Sequence, residues 1–168
     1  MRRKIFLSLA LSLFVFVATA YGERVRYVID GDTFIIESQE RIRMIGINAP
    51  EIDHAKYHKK GQYFGKESRD YLKNLIEHRE VVLKSGDEPF DRFGRRLAYV
   101  YLGDGTFVNR KMVEEGYAET FRKFPFAYKK EFLELESRAR AAKRGMWAQT
   151  KSKPLKWNFL KYLLQVLR

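Results

Sequence analysis

The chain has 168 residues, a formal charge of +12 and no cysteine. Without cysteine there is no thiol nucleophile, thiolate metal site, disulfide framework or lipoprotein anchor. The positive excess suits a polyanionic partner, either nucleic acid or an anionic membrane surface, but a basic surface with no partner explains charge alone equally well.

Arg2, Arg3 and Lys4 form a basic start, Ile5 to Val17 is apolar apart from Ser8 and Ser12, and Ala18-Thr19-Ala20 has the small-residue pattern of a signal-peptidase site. The expectation is a cleaved leader over residues 1–20 and export to the periplasm or the medium. An uncleaved anchor is the alternative, disfavoured because a span needs ~20 apolar residues. Removing that leader, which carries three basic residues and no acid, leaves 148 residues at +9. Five of those charges (Lys151, Lys153, Lys156, Lys161 and Arg168) lie in a basic extension over residues 150–168, so the domain at 21–149 is only +4. That domain is of ordinary size and can bury a core.

Arg24 to Ile29 alternates, with Val25, Tyr27 and Ile29 on one face, and Asp30-Gly31 marks a tight turn. Thr33 to Ile36 is a second strand and Arg41 to Ile47 a third. Asn48 to Gly65 has no period and reads as a loop. Lys66 to His78 reads as a helix, from Tyr71, Leu72, Leu75 and Ile76. Glu80 to Lys84 is a fourth strand, Ser85 to Asp91 a loop, and Arg96 to Leu102 a fifth strand. Asn109 to Glu115 is a short helix closed at Gly116, and Ala127 to Arg144 a longer one stopped at Gly145. Five short strands with a helix after the third predict a mainly β, α+β fold: an OB-like Greek-key barrel with three helices. Beyond it, Leu155 to Arg168 has helical spacing and predicts an extra amphipathic helix, suited to a membrane surface, to the barrel or to a second subunit.

Three ionic clusters punctuate these strands. In Asp30-Gly31-Asp32-Thr33 a hairpin explains Asp30 and Gly31 but does not demand a second carboxylate. Arg43 interrupts an apolar strand, which is costly unless its guanidinium meets an anion. Asn48-Ala49-Pro50-Glu51 follows, where the proline stiffens the backbone and Glu51 is placed to hold a water. The third cluster is Asp91-Arg92-Phe93-Gly94-Arg95-Arg96, whose guanidinium forks suit phosphate. Each has a plain reading as a turn, an edge strand or a charged loop. Together they supply a hard-cation site, a base and two cations for phosphodiester hydrolysis. His54 and His58 have metal-like spacing only within a helix, which their segment does not predict.

On these clusters and their order, the chain from about Val25 to Trp147 resembles the staphylococcal nuclease (thermonuclease) family. Leu97-Ala98-Tyr99-Val100-Tyr101, Asp104-Gly105, Val108-Asn109, Gly116 with Ala118, Glu136, Ala139 and Gly145-Met146-Trp147 extend the match. The resemblance implies an OB barrel with three helices and Ca2+-dependent cleavage of DNA and RNA that leaves 3′-phosphates, with Mg2+ or Mn2+ as lesser alternatives. It implies metal ligation by Asp32, Asn48 and the Ala49 carbonyl, phosphate stabilisation by Arg43 and Arg95, and activation of water by Glu51. Arg92 and Phe93 fall at substrate-binding positions, with single-stranded or denatured nucleic acid preferred.

The chain departs from the family pattern in two respects. Asn48 stands where an Asp is usual, which removes one negative charge from the metal site. Phe93, and the stretch Phe121 to Phe124, lack the tyrosine hydroxyls common near the nucleotide. The rival reading is an OB-fold nucleic-acid-binding module without catalysis. Joint retention of Asp32, Arg43, Glu51 and Arg95 favours the enzyme.

Overall fold

The computed structural model describes residues 22–53 and 60–148. The expected leader, the His54–His58 pair and the basic amphipathic extension lie outside the described residues.

Strands β1 (Glu23–Asp30), β2 (Thr33–Ile36) and β3 (Arg41–Met44) form an antiparallel meander. The pairing of β1 with β2 slips between Val25 and Tyr27 and again between Val28 and Asp30. These bulges reset the alternation read from the sequence. Val25 and Val28 are the buried residues, and Tyr27 is 44% exposed.

The third strand also ends earlier than expected. The chain breaks at Ile45–Gly46, where Gly46 has φ +79° and a side chain would overlap the Phe126 ring. Buried Asn109 fixes the break, its Nδ2 donating to the Ile45 carbonyl at 2.9 Å while its Oδ1 accepts from the Val100 amide at 2.8 Å. Beyond the break, β4 (Ile47–Asn48) leaves the barrel and pairs with β7 (Glu119–Thr120) in a two-stranded ribbon.

Helix α1 (Gly65–Ile76) turns Leu72 and Ile76 into the core. Strand β5 (Glu80–Phe90) continues past Lys84, where a loop was expected. Ser85 pairs with Ala98 and Phe90 with Arg96, with a register shift between them, so a mostly exposed segment is pinned to β6 at its two ends. Strand β6 (Arg96–Leu102) pairs antiparallel with β5 and parallel with β3, and β1 pairs with β5. The closed barrel has the order β1-β2-β3-β6-β5, in agreement with the expected five-stranded OB fold.

Its interior holds Val25, Phe34, Ile36, Ile42, Ala98 and Val100, all fully buried. Helices α2 (Val108–Glu114) and α3 (Lys129–Ala141) add Val108, Met112, Val113 and Phe132. Helix α3 is shorter than the expected 127–144 and is followed by a 3-10 turn at Gly145–Trp147.

Candidate active site

The site begins at the β1–β2 turn. Gly31 is not among the glycines with positive φ, so backbone freedom is not its reason. A side chain there would overlap Ser68 of α1 and the Ala49 methyl. Glycine therefore lets the turn pack against both, which sinks the next residue. Asp32 is only 5% exposed. Its amide donates to Asp30 Oδ1 at 3.0 Å, its Oδ1 accepts from the Thr33 hydroxyl at 3.0 Å, and its Oδ2 accepts from the Ala49 amide at 2.7 Å.

Arg43 reaches this carboxylate because β2 and β3 pair Thr33 with Arg43. Its Nη1 forms an ion pair with Asp32 Oδ1, and its Nη2 donates to the Ile47 carbonyl at 3.2 Å and to Asn48 Oδ1 at 3.5 Å. The chain break at Gly46 is what brings Asn48 back beside Arg43. Two oxygens predicted as metal ligands thus converge on one guanidinium.

Glu51 is set by its backbone. Its amide donates to Gln62 Oε1 at 3.0 Å and its carbonyl accepts from the Gln62 amide at 2.8 Å. Gly65, the first residue of α1, lies so close to that carbonyl that a side chain would overlap it.

Arg95 enters from the β5–β6 connection. Its Nε and Nη2 form a fork on Asp91 Oδ2 at 2.7 and 2.6 Å. Asp91 Oδ1 also accepts the Phe93 and Arg95 amides at 2.8 and 3.0 Å, so one carboxylate shapes the turn and aims the arginine. Burial alone would raise the Asp91 carboxyl, yet these hydrogen bonds and the Arg95 charge hold it below the ordinary carboxylate range. Phe93 is 68% exposed, with the Arg92 and Arg95 guanidinium carbons 4.7 and 5.5 Å from its ring centre.

Electrostatics ties these pieces together. Burial pushes Arg43 down to about 10, Asp30 opposes that shift, Arg95 adds to it, and Glu51 and Asp91 oppose it. Arg43 therefore remains protonated at neutral pH and feels charged groups from all three clusters. Burial raises Asp30 above its ordinary value, against the pull of Arg43, Thr33 and Arg95. The structure joins Asp32, Arg43, Asn48 and Ala49 by direct contacts, places Glu51 and Arg95 within electrostatic reach of Arg43, and leaves Arg92 and Phe93 exposed beside Arg95.

Three residues of this assembly were not assigned from the sequence. They are Asp30, which holds the Asp32 amide; Asp91, which holds Arg95; and Gln62, which holds the Glu51 backbone. The Asp91–Arg95 spacing was a usable signal for one of them; nothing in the pattern marks Gln62.

The family profile described as "Staphylococcal nuclease homologue" matches residues 41–149. The chain belongs to that family. It is 35% identical to a thermonuclease of Staphylococcus hyicus over 125 residues, 72% of each chain. It is 35% identical to an uncharacterized endonuclease of Escherichia coli O157:H7 over 143 residues, 83% of this chain and 85% of that one. A micrococcal nuclease of Shigella flexneri is 32% identical over 148 residues, 81% of this chain and 79% of that one. The chain is thus a nuclease, a hydrolase whose substrates are nucleic acids.

The family is metal-dependent. Among the described residues no three Asp, Glu or His side chains form a group ready for a metal. The donors present are nevertheless right in kind for a hard cation: the Asp32 carboxylate, the Asn48 amide oxygen and a backbone carbonyl at Ala49. Asp32 and Asn48 already share one positive charge, that of Arg43. The set fits a divalent cation with one carboxylate fewer than such sites often use.

Proposed function

We propose that the chain is an exported, Ca2+-dependent nuclease that hydrolyses DNA and RNA, single-stranded or denatured substrate preferred, and leaves 3′-phosphates. The observation that carries this reading is the convergence on Arg43. Its guanidinium touches Asp32 and Asn48, and the charges of Asp30, Glu51, Asp91 and Arg95 all act on it. Asp32, Asn48 and the Ala49 carbonyl would hold the cation, which when bound polarises a phosphoryl oxygen and offsets developing charge.

The chain's own groups supply the rest. Arg43 and Arg95 neutralise the charge spreading over the phosphate oxygens, where pre-aimed donors act most strongly. Asp91 holds the Arg95 fork before substrate arrives, and Asp32 does the same for Arg43. The Glu51 carboxylate takes a proton from the attacking water, with its backbone anchored by Gln62 and by the close approach of Gly65. Phe93 and Arg92 receive a base and a neighbouring phosphate at the rim.

The deciding experiment is hydrolysis of denatured DNA with Ca2+ and with a chelator. Chelator-sensitive cutting that leaves 3′-phosphate ends is expected. Cutting that ignores the chelator, or leaves 5′-phosphates, would overturn the mechanism.

A further inference from the structure

Two clefts flank the β4–β7 ribbon. Asn48 and Glu119 are cross-strand partners, so their side chains share a face, and both line each cleft. The larger cleft, about 440 Å³, has Tyr63 and Trp147 in its walls. The smaller, about 240 Å³, carries Arg122 and Lys123. Asn48 also lies 3.5 Å from Arg43, so the larger cleft adjoins the candidate centre.

The aromatic cleft is within the volume range of small-ligand sites. Tyr63 is 50% exposed and offers a ring for stacking. Trp147 lies under the Arg140 guanidinium, 3.6 Å from its ring centre. That arginine is committed to Glu136 Oε1 at 2.6 and 2.8 Å, and Glu119 holds it only loosely at 3.7 Å. The Glu119 carboxylate is therefore available as an acceptor in an aromatic cleft. Its charge repels phosphate and suits the exocyclic amino group of cytosine, adenine or guanine, which thymine and uracil lack. A phosphate would be better received in the second cleft, by Lys123 and by Arg122, which is half-exposed although it pairs with Glu136.

We propose that the cleft between Tyr63 and Trp147 is a base-binding subsite. It takes an amino-bearing nucleobase of the substrate strand next to the phosphodiester being cut, with Glu119 accepting from the amino group. This rests on the nuclease reading and adds base preference to it.

The test uses full-length protein with Ca2+ and oligonucleotides of one length that differ by a single base at each position flanking the cut. At one position kcat/KM is expected to favour cytosine over thymine by several-fold to about tenfold. Glu119→Ala should collapse that ratio towards one. A second readout needs no turnover. The chain has two tryptophans, so Trp157→Phe leaves Trp147 as the sole indole. Its emission should be quenched saturably by a cytosine oligonucleotide, with or without chelator. Equal cutting of all bases, a preference that survives Glu119→Ala, or emission indifferent to oligonucleotide would each overturn the subsite. Loss of hydrolysis with quenching intact would instead overturn the reaction and leave the subsite standing.

Discussion

At the scale of single residues, the chemistry depends on groups aimed by their neighbours. In the proposed metal site Asn48 would supply an amide oxygen where a carboxylate would add charge, and ligand charge tunes the affinity of oxygen sites for Ca2+. Asn48→Asp is therefore expected to tighten Ca2+ about tenfold, or ~1.4 kcal/mol, by calorimetry. No gain would remove Asn48 from the ligand set. Glu51→Gln should slow turnover by about a hundredfold or more while DNA binding persists, the usual range for losing a general base. Undiminished turnover would end that role for Glu51. On the proposed mechanism, in which Arg95 contacts the transition state, Arg95→Ala should lower kcat more than it raises KM. Equal effects on binding and turnover would make Arg95 a ground-state phosphate contact. The clusters holding these residues were legible because each carries charge where a strand or tight turn does not need it. Gln62 was not, because its role lies in a backbone contact that no side-chain pattern reports.

At the scale of elements, one buried carboxylate ties helix α3 to the β4–β7 ribbon. The Glu136 side chain is 1% exposed and accepts from the Thr120 amide at 2.9 Å and from Arg122 and Arg140 at 2.9 and 2.6 Å. Burial alone would raise its carboxyl, but these donors hold it below the ordinary range. A depressed carboxylate stabilises the fold above its unfolded pKa of ~4.3 and loses that contribution as pH falls through the lower folded value. Glu136→Gln should therefore cost roughly 2 kcal/mol at pH 7. That is below the usual figure for a broken buried pair, because both arginines stay half in water. The gap to the parent in urea unfolding should shrink as pH drops below 4.3. A pH-independent gap would mean the loss is one of packing. Elements with a buried face were the legible ones: β2, β6, α1 and α2 sit within two residues of where periodicity put them. Ser85 to Phe90 of β5 was missed because it is pinned to β6 only at its two ends, across a register shift, and is mostly exposed. The two-residue strands of the ribbon are too short to carry any period.

At the scale of the whole molecule, charge is distributed unevenly. Of the net charge of +9 carried by residues 21–168, +5 lies beyond Gln149, outside the described residues. If that basic stretch meets an anionic lipid surface, removing Leu155 to Arg168 should reduce co-sedimentation with anionic vesicles at low salt. Equal retention of both forms would assign the stretch to packing on protein.

The parallel pairing of β3 with β6 has a kinetic consequence. Ile42 meets Arg96 and Arg43 meets Leu97, partners made far apart in synthesis. Closing so long a loop is slow relative to forming a hairpin or a helix. The β1–β3 meander alone holds Asp32 beside Arg43 but lacks the second guanidinium. On the proposed mechanism, a nascent or partly refolded chain is therefore expected to cut nucleic acid poorly. After dilution from denaturant, hydrolysis returns with the final closure of the barrel, later than the first gain of secondary structure.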